Sequence, residues 1–129
     1  MKYLLLIHSN PITWSHPSFL QTEEGRRLPA KARDALAAQL EKLLTELDES
    51  GELVAAQPLE PPARTKVVRV RKGVRATTDG PYSEAKEQLA GVFIVDVATP
   101  ERAEEIAATI PEAEYGSGVE IRPVSVFDD

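Results

Sequence analysis

Hydrophobic and polar positions divide the chain into segments with strand or helix periodicity. An unbroken apolar run over residues 3–7 and a nearly unbroken one over Val92–Val97 predict two central strands, since a strand covered on both faces shows no alternation. From Ala30 to Glu49 the apolar residues recur at helical spacing, with Pro29 before the segment and Gly51 after it. This pattern predicts a long helix that packs one apolar stripe on a sheet.

The rest of the chain predicts shorter elements. Lys72-Gly73 indicates a hairpin turn between two strands, and Pro123 favours an edge position for the last strand. Thr99 and Pro100 are typical of a helix start. The expected elements are strands at Leu53–Pro58, Lys66–Arg71, Val74–Thr78 and Val119–Phe127, a helix from Thr99 to Pro111, a short polar helix over Ser83–Gln88, and a long loop over residues 10–29.

The order of these elements predicts an α+β fold. Strand, helix, strand, hairpin, strand, helix and strand follow one another, as in a ferredoxin-like split β-α-β sheet with an inserted β-hairpin. Two helices cover only one face of such a sheet, whereas the central strands are apolar on both faces. We therefore expect a second copy of the chain to cover the other face, which makes the protein a homodimer.

Length, charge and composition limit the possible functions. The 129 residues suit a single domain, 1–129. A net charge of −6 disfavours direct binding of nucleic acid or of anionic membranes, and no apolar run is long enough to span a bilayer. The first apolar run has no cleavage site after it, so we expect a cytoplasmic protein. Without cysteine, and with two histidines at no metal-binding spacing, no metal or cofactor is expected.

The predicted hairpin is strongly basic. Six bases and no acid lie between Arg64 and Arg75. Such a segment is either an anion site or a solvated face that resists edge pairing, and the second interpretation is favoured because no aromatic residue interleaves for base stacking. The acidic segment from Glu101 to Asp129 is its counterpart, and the two can pair within a dimer.

Ionisable residues are dense after the predicted turn Asp79-Gly80-Pro81. Asp79, Tyr82, Glu84 and Lys86 offer a carboxylate, a phenol and an ammonium group within a short segment, and such groups can act as acid, base and electrophile. The alternative is a capped helix whose acids favour its positive N-terminal end.

Three further positions on the predicted sheet are candidates. His8 ends the first strand and is the best single general base, although it is also compatible with a hydrogen-bonded histidine at the sheet rim. Asp96 interrupts an apolar run, either near water or as a paired carboxylate. Arg122 shares a strand face with Glu120, and the two can pair with each other or with the basic hairpin; a structural ion pair is the favoured interpretation. His16, in the proline-containing loop, is expected at the surface.

Several segments together resemble a known family. They are Met1–Ile7, Ser50–Leu53, Leu59–Ala63, Val67–Val70, Thr78–Gly91 and Gly118–Val124. The chain resembles the DGPF branch of the YCII-related family, whose Asp-Gly-Pro-Phe core matches Asp79-Gly80-Pro81-Tyr82. The resemblance covers essentially the whole chain and implies a ferredoxin-like dimer, a dimeric α+β barrel.

The family has no settled general activity. A His–Asp pair in a cleft implies enzymes among its wider members, and the association of some DGPF proteins with sigma factors implies regulation. This chain departs from the pattern, since Tyr82 replaces the usual Phe and the first long helix holds no histidine. His8 with Asp79 or Asp96 is then only a substitute pair.

Two functions remain open. The first is a small-molecule enzyme or binder, with His8, Asp79 and Asp96 as candidate catalytic residues. Its candidate ligand contacts are Tyr82, Glu84, Lys86 and Arg122. The second is a regulatory or sensing module that binds a sigma factor or another protein, because no complete catalytic constellation is present in the sequence.

Overall fold

The computed structural model describes residues 1–82 and 85–126, which form a mixed α+β structure. A four-stranded antiparallel sheet has the order β2-β5-β1-β6, and a separate two-stranded sheet pairs β3 with β4. The strands are β1 (Lys2–Ser9), β2 (Leu53–Pro58), β3 (Lys66–Arg71), β4 (Val74–Asp79), β5 (Gln88–Asp96) and β6 (Val119–Pro123). The helices are α1 (Glu23–Arg27), α2 (Ala30–Ser50), α3 (Pro100–Thr109) and α4 (Glu112–Tyr115), with short 3-10 turns at Ser18–Gln21 and Pro62–Arg64.

The core lies between one face of the four-stranded sheet and the two long helices. Tyr3, Leu5 and Ile7 alternate along β1 and are buried, because successive side chains of a strand point to opposite faces. They pack with Leu47 of α2 and Ile106 of α3. As expected, the two helices cover only this face of the central strands.

The other face of the sheet carries no helix of the described chain. Leu4, Leu6, Val92 and Ile94 lie on it and are half-buried. We call these residues the helix-free face. Glu120, on the edge strand β6, lies on the same side of the sheet.

The long helix α2 agrees with the pattern that predicted it. It begins after Pro29 and ends at Gly51, whose φ of 79° is the left-handed conformation common at helix ends. At the start of α3, Thr99 accepts a hydrogen bond from the backbone of Arg102, as the capping signal predicted. None of the helices in the described part of the chain is long and apolar enough to cross a membrane.

Some predicted boundaries are wrong. The loop over residues 10–29 contains a 3-10 turn and α1, and β5 begins at Gln88 rather than Val92. Ser83 and Glu84, where a short helix was expected to begin, lie outside the described residues, and residues 85–87 are not helical. The last strand ends at Pro123, before the predicted Phe127, and one more hydrogen bond to β1 follows it, from the Val124 N–H to the Lys2 carbonyl at 2.9 Å.

An ion pair joins α3 to the start of β2. The Arg102 guanidinium donates two hydrogen bonds to the Glu52 carboxylate, from Nε to Oε2 and from Nη2 to Oε1, each at 2.9 Å. This bidentate contact holds the pKa of Glu52 below its ordinary value. The ion pair fixes the start of α3 to the sheet where β2 begins.

The Asp79-Gly80-Pro81 turn closes the base of the hairpin. Gly80 has a φ of 97°, and its N–H donates to the Thr65 carbonyl at 2.8 Å. Asp79 Oδ1 accepts a hydrogen bond from Lys66 Nζ at 2.7 Å, directly across the hairpin.

Gly80→Ala should therefore lower the free energy of unfolding by about 1–2 kcal/mol, the cost of a left-handed residue with a Cβ. A Cβ at Gly80 would meet no atom within 4 Å, so the cost in the folded state comes from backbone strain and not from a clash. Urea unfolding of wild type and variant measures it. Equal or greater stability of the variant would show that the turn adapts without strain.

Candidate functional site

An apolar cavity lies between the helix-covered face of the sheet, α2 and the loop that follows β1. Its volume is about 280 Å³. Most of its lining residues are aliphatic or aromatic, and the others are Glu112, His16, Ser18, Gln57 and Gly91. The apolar lining comprises Ile7, Pro17, Leu40, Leu44, Ala56, Pro58, Ala90, Phe93 and Ile110.

The loop that covers the cavity contacts the rest of the molecule at several points. Near its start, Trp14 Nε1 and His16 Nε2 donate to the carbonyl of Leu59, at 2.9 and 2.7 Å. Further along, Phe19 is completely buried. These contacts hold the loop over the cavity although 43 residues separate His16 from Leu59.

A second set of contacts fixes the loop from the side of α2. One guanidinium nitrogen of Arg33, Nη1, donates to the carbonyls of Leu20 and Gly25, at 2.7 and 2.6 Å. Thr22 Oγ1 donates to the Phe19 carbonyl and accepts from the Gly25 N–H, each at 3.0 Å. These hydrogen bonds fix the conformation of residues 19–25, and Arg33 links that segment to α2.

Glu112 is the one acid of the cavity wall. Only 5% of the residue is exposed, and its Oε2 accepts a hydrogen bond from Ser18 Oγ at 2.8 Å. Burial raises the pKa of this carboxyl, and hydrogen bonds from Ser18 and the backbone oppose the rise only in part. Glu112 forms no ion pair with any described residue. Its proton is therefore held more tightly than that of an exposed glutamate.

His16 supplies a second proton-carrying group to the same cavity. Because a carbonyl oxygen can only accept, the contact with Leu59 places a hydrogen on His16 Nε2. In the neutral ring Nδ1 then carries a lone pair, and no described group hydrogen-bonds to it. Trp14 packs edge-on against the imidazole at 6.2 Å between ring centres and fixes its plane.

This arrangement can bind a small apolar molecule and move a proton on it. A concave apolar site with few polar groups, one of them with a shifted pKa, is the usual form of a ligand site in a protein. The sequence prediction missed Glu112, whereas His16 is exposed, as expected, and also lines the cavity. In sequence Glu112 is one acid among many in an acidic segment, and 94 residues separate it from Ser18. No local signal distinguishes it.

Two of the residues proposed from the sequence share a different cleft. His8 and Tyr82 line an open cleft of about 640 Å³ beside the Asp-Gly-Pro turn. The side chain of His8 contacts Glu120, with Nε2 and Oε1 3.0 Å apart. Tyr82 is 85% exposed, and its hydroxyl is thus available to solvent. Arg64, paired with Glu60, also lines this cleft.

The other proposed residues do not converge there. Asp79 is exposed and paired with Lys66, and Lys86 lines a separate cleft near Tyr115. Asp96 contacts the amino group of Met1 at 3.1 Å.

Register decides which of the sheet residues can meet. Lys2 is opposite Asp96 and His8 is opposite Leu89, so His8 and Asp96 lie about 20 Å apart along the strands. The structure therefore does not form a His8–Asp96 pair.

Arg122, opposite Leu4, lines neither cleft, and Glu84 lies outside the described residues. Within the described ranges no cluster of three acids or histidines is placed to hold a metal ion.

A family model described as the YCII-related domain matches residues 1–128. The chain belongs to this family. The resemblance deduced from the sequence is thereby confirmed at the level of the family, while the DGPF branch stays a prediction.

A relative and a solved structure complete the comparisons. An uncharacterized protein of Rhizobium meliloti (strain 1021) is 31% identical over 128 residues, which cover 98% of this chain and 94% of the relative. A similar solved structure is 5-chloro-2-hydroxyhydroquinone dehydrochlorinase from Burkholderia phenoliruptrix AC1100, in complex with 2,5-dihydroxybenzoquinone. Its identity is 12% and its TM-score 0.48, over 97% of this chain and 94% of that one.

Proposed function

We propose that this YCII-related protein is a small-molecule enzyme or binder whose site is the cavity under the loop after β1. Glu112 and His16 are its proton-carrying groups, and Ser18 orients the Glu112 carboxyl. The observation that carries the proposal is a buried carboxyl with a raised pKa on the wall of an apolar cavity.

A structural role explains Glu112 less well. Burial of this carboxyl costs free energy, and its hydrogen bonds together with the nearby His16 offset that cost only in part. The carboxyl nevertheless faces a cavity that already has room for another molecule. Groups that lower stability at such a place are characteristic of functional sites.

The size and lining of the cavity favour a compact neutral ligand. Since a dry cavity of about 150 Å³ holds benzene, a cavity of about 280 Å³ has room for a substituted ring. Charged ligands would lose their hydration against the aliphatic wall. A protonated Glu112 would donate to an oxygen or nitrogen of the ligand, and its carboxylate would accept a proton from an acidic O–H or C–H group.

The cleft beside the Asp-Gly-Pro turn is a second candidate site. The joint presence of His8 and Tyr82 in one concave surface favours it. Its volume is larger, and Tyr82 is exposed whereas Glu112 is buried, so proton transfer there would lack the low-dielectric surroundings that Glu112 has. No described contact supports the sigma-factor alternative.

The sheet order also supports a ferredoxin-like dimer. Strands in the order β2-β5-β1-β6, with both long helices on one face, leave the helix-free face for a second copy. We propose that two copies join there, as the apolar character of Leu4, Leu6, Val92 and Ile94 favours.

A thermal-shift screen with neutral ring compounds tests the proposed site. Ala56→Leu fills the cavity from β2, and Val54→Leu is the matched control because Val54 is exposed on the same strand. We expect hits that raise the melting temperature of wild type and of Val54→Leu by several degrees, since saturating ligand adds about 2.7 kcal/mol at 100-fold excess over Kd. The Ala56→Leu variant should lose them.

The same screen distinguishes the two candidate sites. Hits that survive in Ala56→Leu but vanish in Tyr82→Phe would transfer the proposal to the cleft beside the turn. A wild type that responds to no compound, in a library that covers phenols, cyclic ketones and heteroaromatics, would contradict the proposed function.

A further inference from the structure

The hairpin formed by β3 and β4 stands apart from the rest of the fold. Its two strands pair only with each other among the described strands, and every residue from Lys66 to Asp79 except Val67 is exposed. Three of the exposed residues are valines: Val68 at 58%, Val70 at 60% and Val74 at 67%.

An isolated hairpin of this kind is an incomplete structure. Two strands alone are marginally stable in water, and a third strand or a packed surface is normally needed. Val68 and Val70 share one face of β3, and β-branched side chains of this type are usually found against a packed surface. Another surface therefore has to complete the hairpin.

The charges indicate what kind of surface that is. The segment 66–79 carries five bases and a single acid, whereas the rest of the chain carries ten bases and twenty acids. Lys66 pairs with Asp79, but the other four bases form no ion pair within the described chain. Those bases are Arg69, Arg71, Lys72 and Arg75.

We propose that the hairpin is an arm that docks on the acidic body of a second copy of this chain. The inference rests on the dimer proposed above and adds an interface to it. In a twofold dimer each copy gives one arm and receives one, so the complementary charges meet twice. A polyanion such as nucleic acid fits less well, because the whole chain is negative and the hairpin offers no aromatic side chain for stacking.

Sedimentation equilibrium on matched charge-reversal variants tests the arm. Lys72→Glu with Arg75→Glu changes the arm, because Arg75 is opposite Val70 and shares its face and Lys72 lies in the turn. Lys31→Glu with Lys42→Glu makes the same change of net charge on exposed positions of α2. We expect the arm variant to raise the dimer Kd about tenfold or more, which corresponds to about 1.4 kcal/mol. The α2 variant should leave it near wild type.

A second pair of measurements does not depend on reversed charge. Val68→Thr with Val70→Thr keeps β-branched side chains in the strand but removes apolar contact, and it should also weaken the dimer. Raising the salt from 0.1 M to 1 M shortens the Debye length from about 10 Å to about 3 Å and should weaken wild type more than the arm variant.

Cross-linking shows directly where the arm lies. In a mixture of ¹⁵N-labelled and unlabelled protein, a zero-length amine–carboxyl reagent should join Lys72 to carboxylates of the other copy. A wild type that stays monomeric at micromolar concentration would overturn both the dimer and the arm. A dimer indifferent to the arm variants, or cross-links of Lys72 within one copy alone, would overturn the arm and leave the helix-free face as the interface.

Discussion

Glu112→Gln should reduce proton-transfer turnover at the cavity by about 100-fold or more, the usual contribution of a general acid or base. Glutamine has almost the same shape and keeps an oxygen that can accept from Ser18, but it can neither donate nor accept a proton in this pH range. In the Glu112→Gln variant, any pH dependence of ligand affinity that arises from ionisation of Glu112 should be lost. Isothermal titration with a ligand from the screen, across pH 4 to 9, measures this.

The same substitution should change the stability in a direction that its pKa determines. Burial raises the pKa of Glu112 in the folded chain, so the folded state binds this proton more tightly than the unfolded state does. The stabilising contribution of Glu112 is therefore full below the ordinary glutamate pKa and is lost as the pH rises through the raised value. Relative to wild type, the glutamine variant should gain stability from acid to neutral pH.

Glu114→Gln is the matched control, because Glu114 is an exposed acid in the same short helix. It should leave affinity, turnover and the pH dependence of unfolding near wild type. If Glu112→Gln instead lowers the stability at pH 7 by about 1 kcal/mol or more and leaves binding unchanged, then Glu112 is a structural hydrogen-bond partner of Ser18. The proposed function would then lose its main support.

Periodicity and end signals suffice for the elements that make up the core. Helix α2 lies where the spacing of its leucines and the pair Pro29 and Gly51 place it, because each of these features is a local property of the backbone. The hairpin turn at Lys72-Gly73 follows for the same reason, since both residues have positive φ. Such elements need no knowledge of the rest of the molecule.

The cavity could not be predicted in this way. Its polar residues come from the loop after β1 and from the start of α4, and the packing of these two segments is a tertiary event. The ionisable residues of the Asp79 turn are close in sequence, yet Asp79 and Lys86 point to different surroundings. Ionisable residues that lie close together in the sequence therefore need not lie close together in the structure, especially at the base of an exposed hairpin.

The apolar runs in β1 and β5 were informative for a different reason. They indicated that both faces of the sheet are buried, whereas the helices of one copy pack on a single face. On the other face Leu4 and Ile94 are only half-buried in a single copy. A pattern that the described chain does not fully satisfy points to an assembly, and the exposed valines of the hairpin point the same way.

Gly25 is the position where the loop over the cavity tolerates least change. A Cβ at Gly25 would lie 1.9 Å from the carbonyl oxygen of Phe19, far inside contact distance, and that atom belongs to the backbone. The Phe19 carbonyl is itself held by the hydroxyl of Thr22, and the Gly25 carbonyl is held by Arg33. Neither partner can move without loss of these hydrogen bonds, so the strain cannot be relieved locally.

Gly25→Ala should therefore lower the free energy of unfolding by about 3 kcal/mol or more, as an overpacked core position does at the upper end of its range. Gly80→Ala is the matched comparison, because both changes restrict the unfolded chain equally and only Gly25→Ala creates a clash. Urea unfolding of the two variants gives the difference. Since the displaced loop carries His16 and Ser18, Gly25→Ala should also abolish binding at the cavity under conditions in which the protein is still folded. Equal stabilities of the two variants, or unchanged ligand binding by Gly25→Ala, would show that the loop repacks freely and that its close contact at Phe19 does not shape the site.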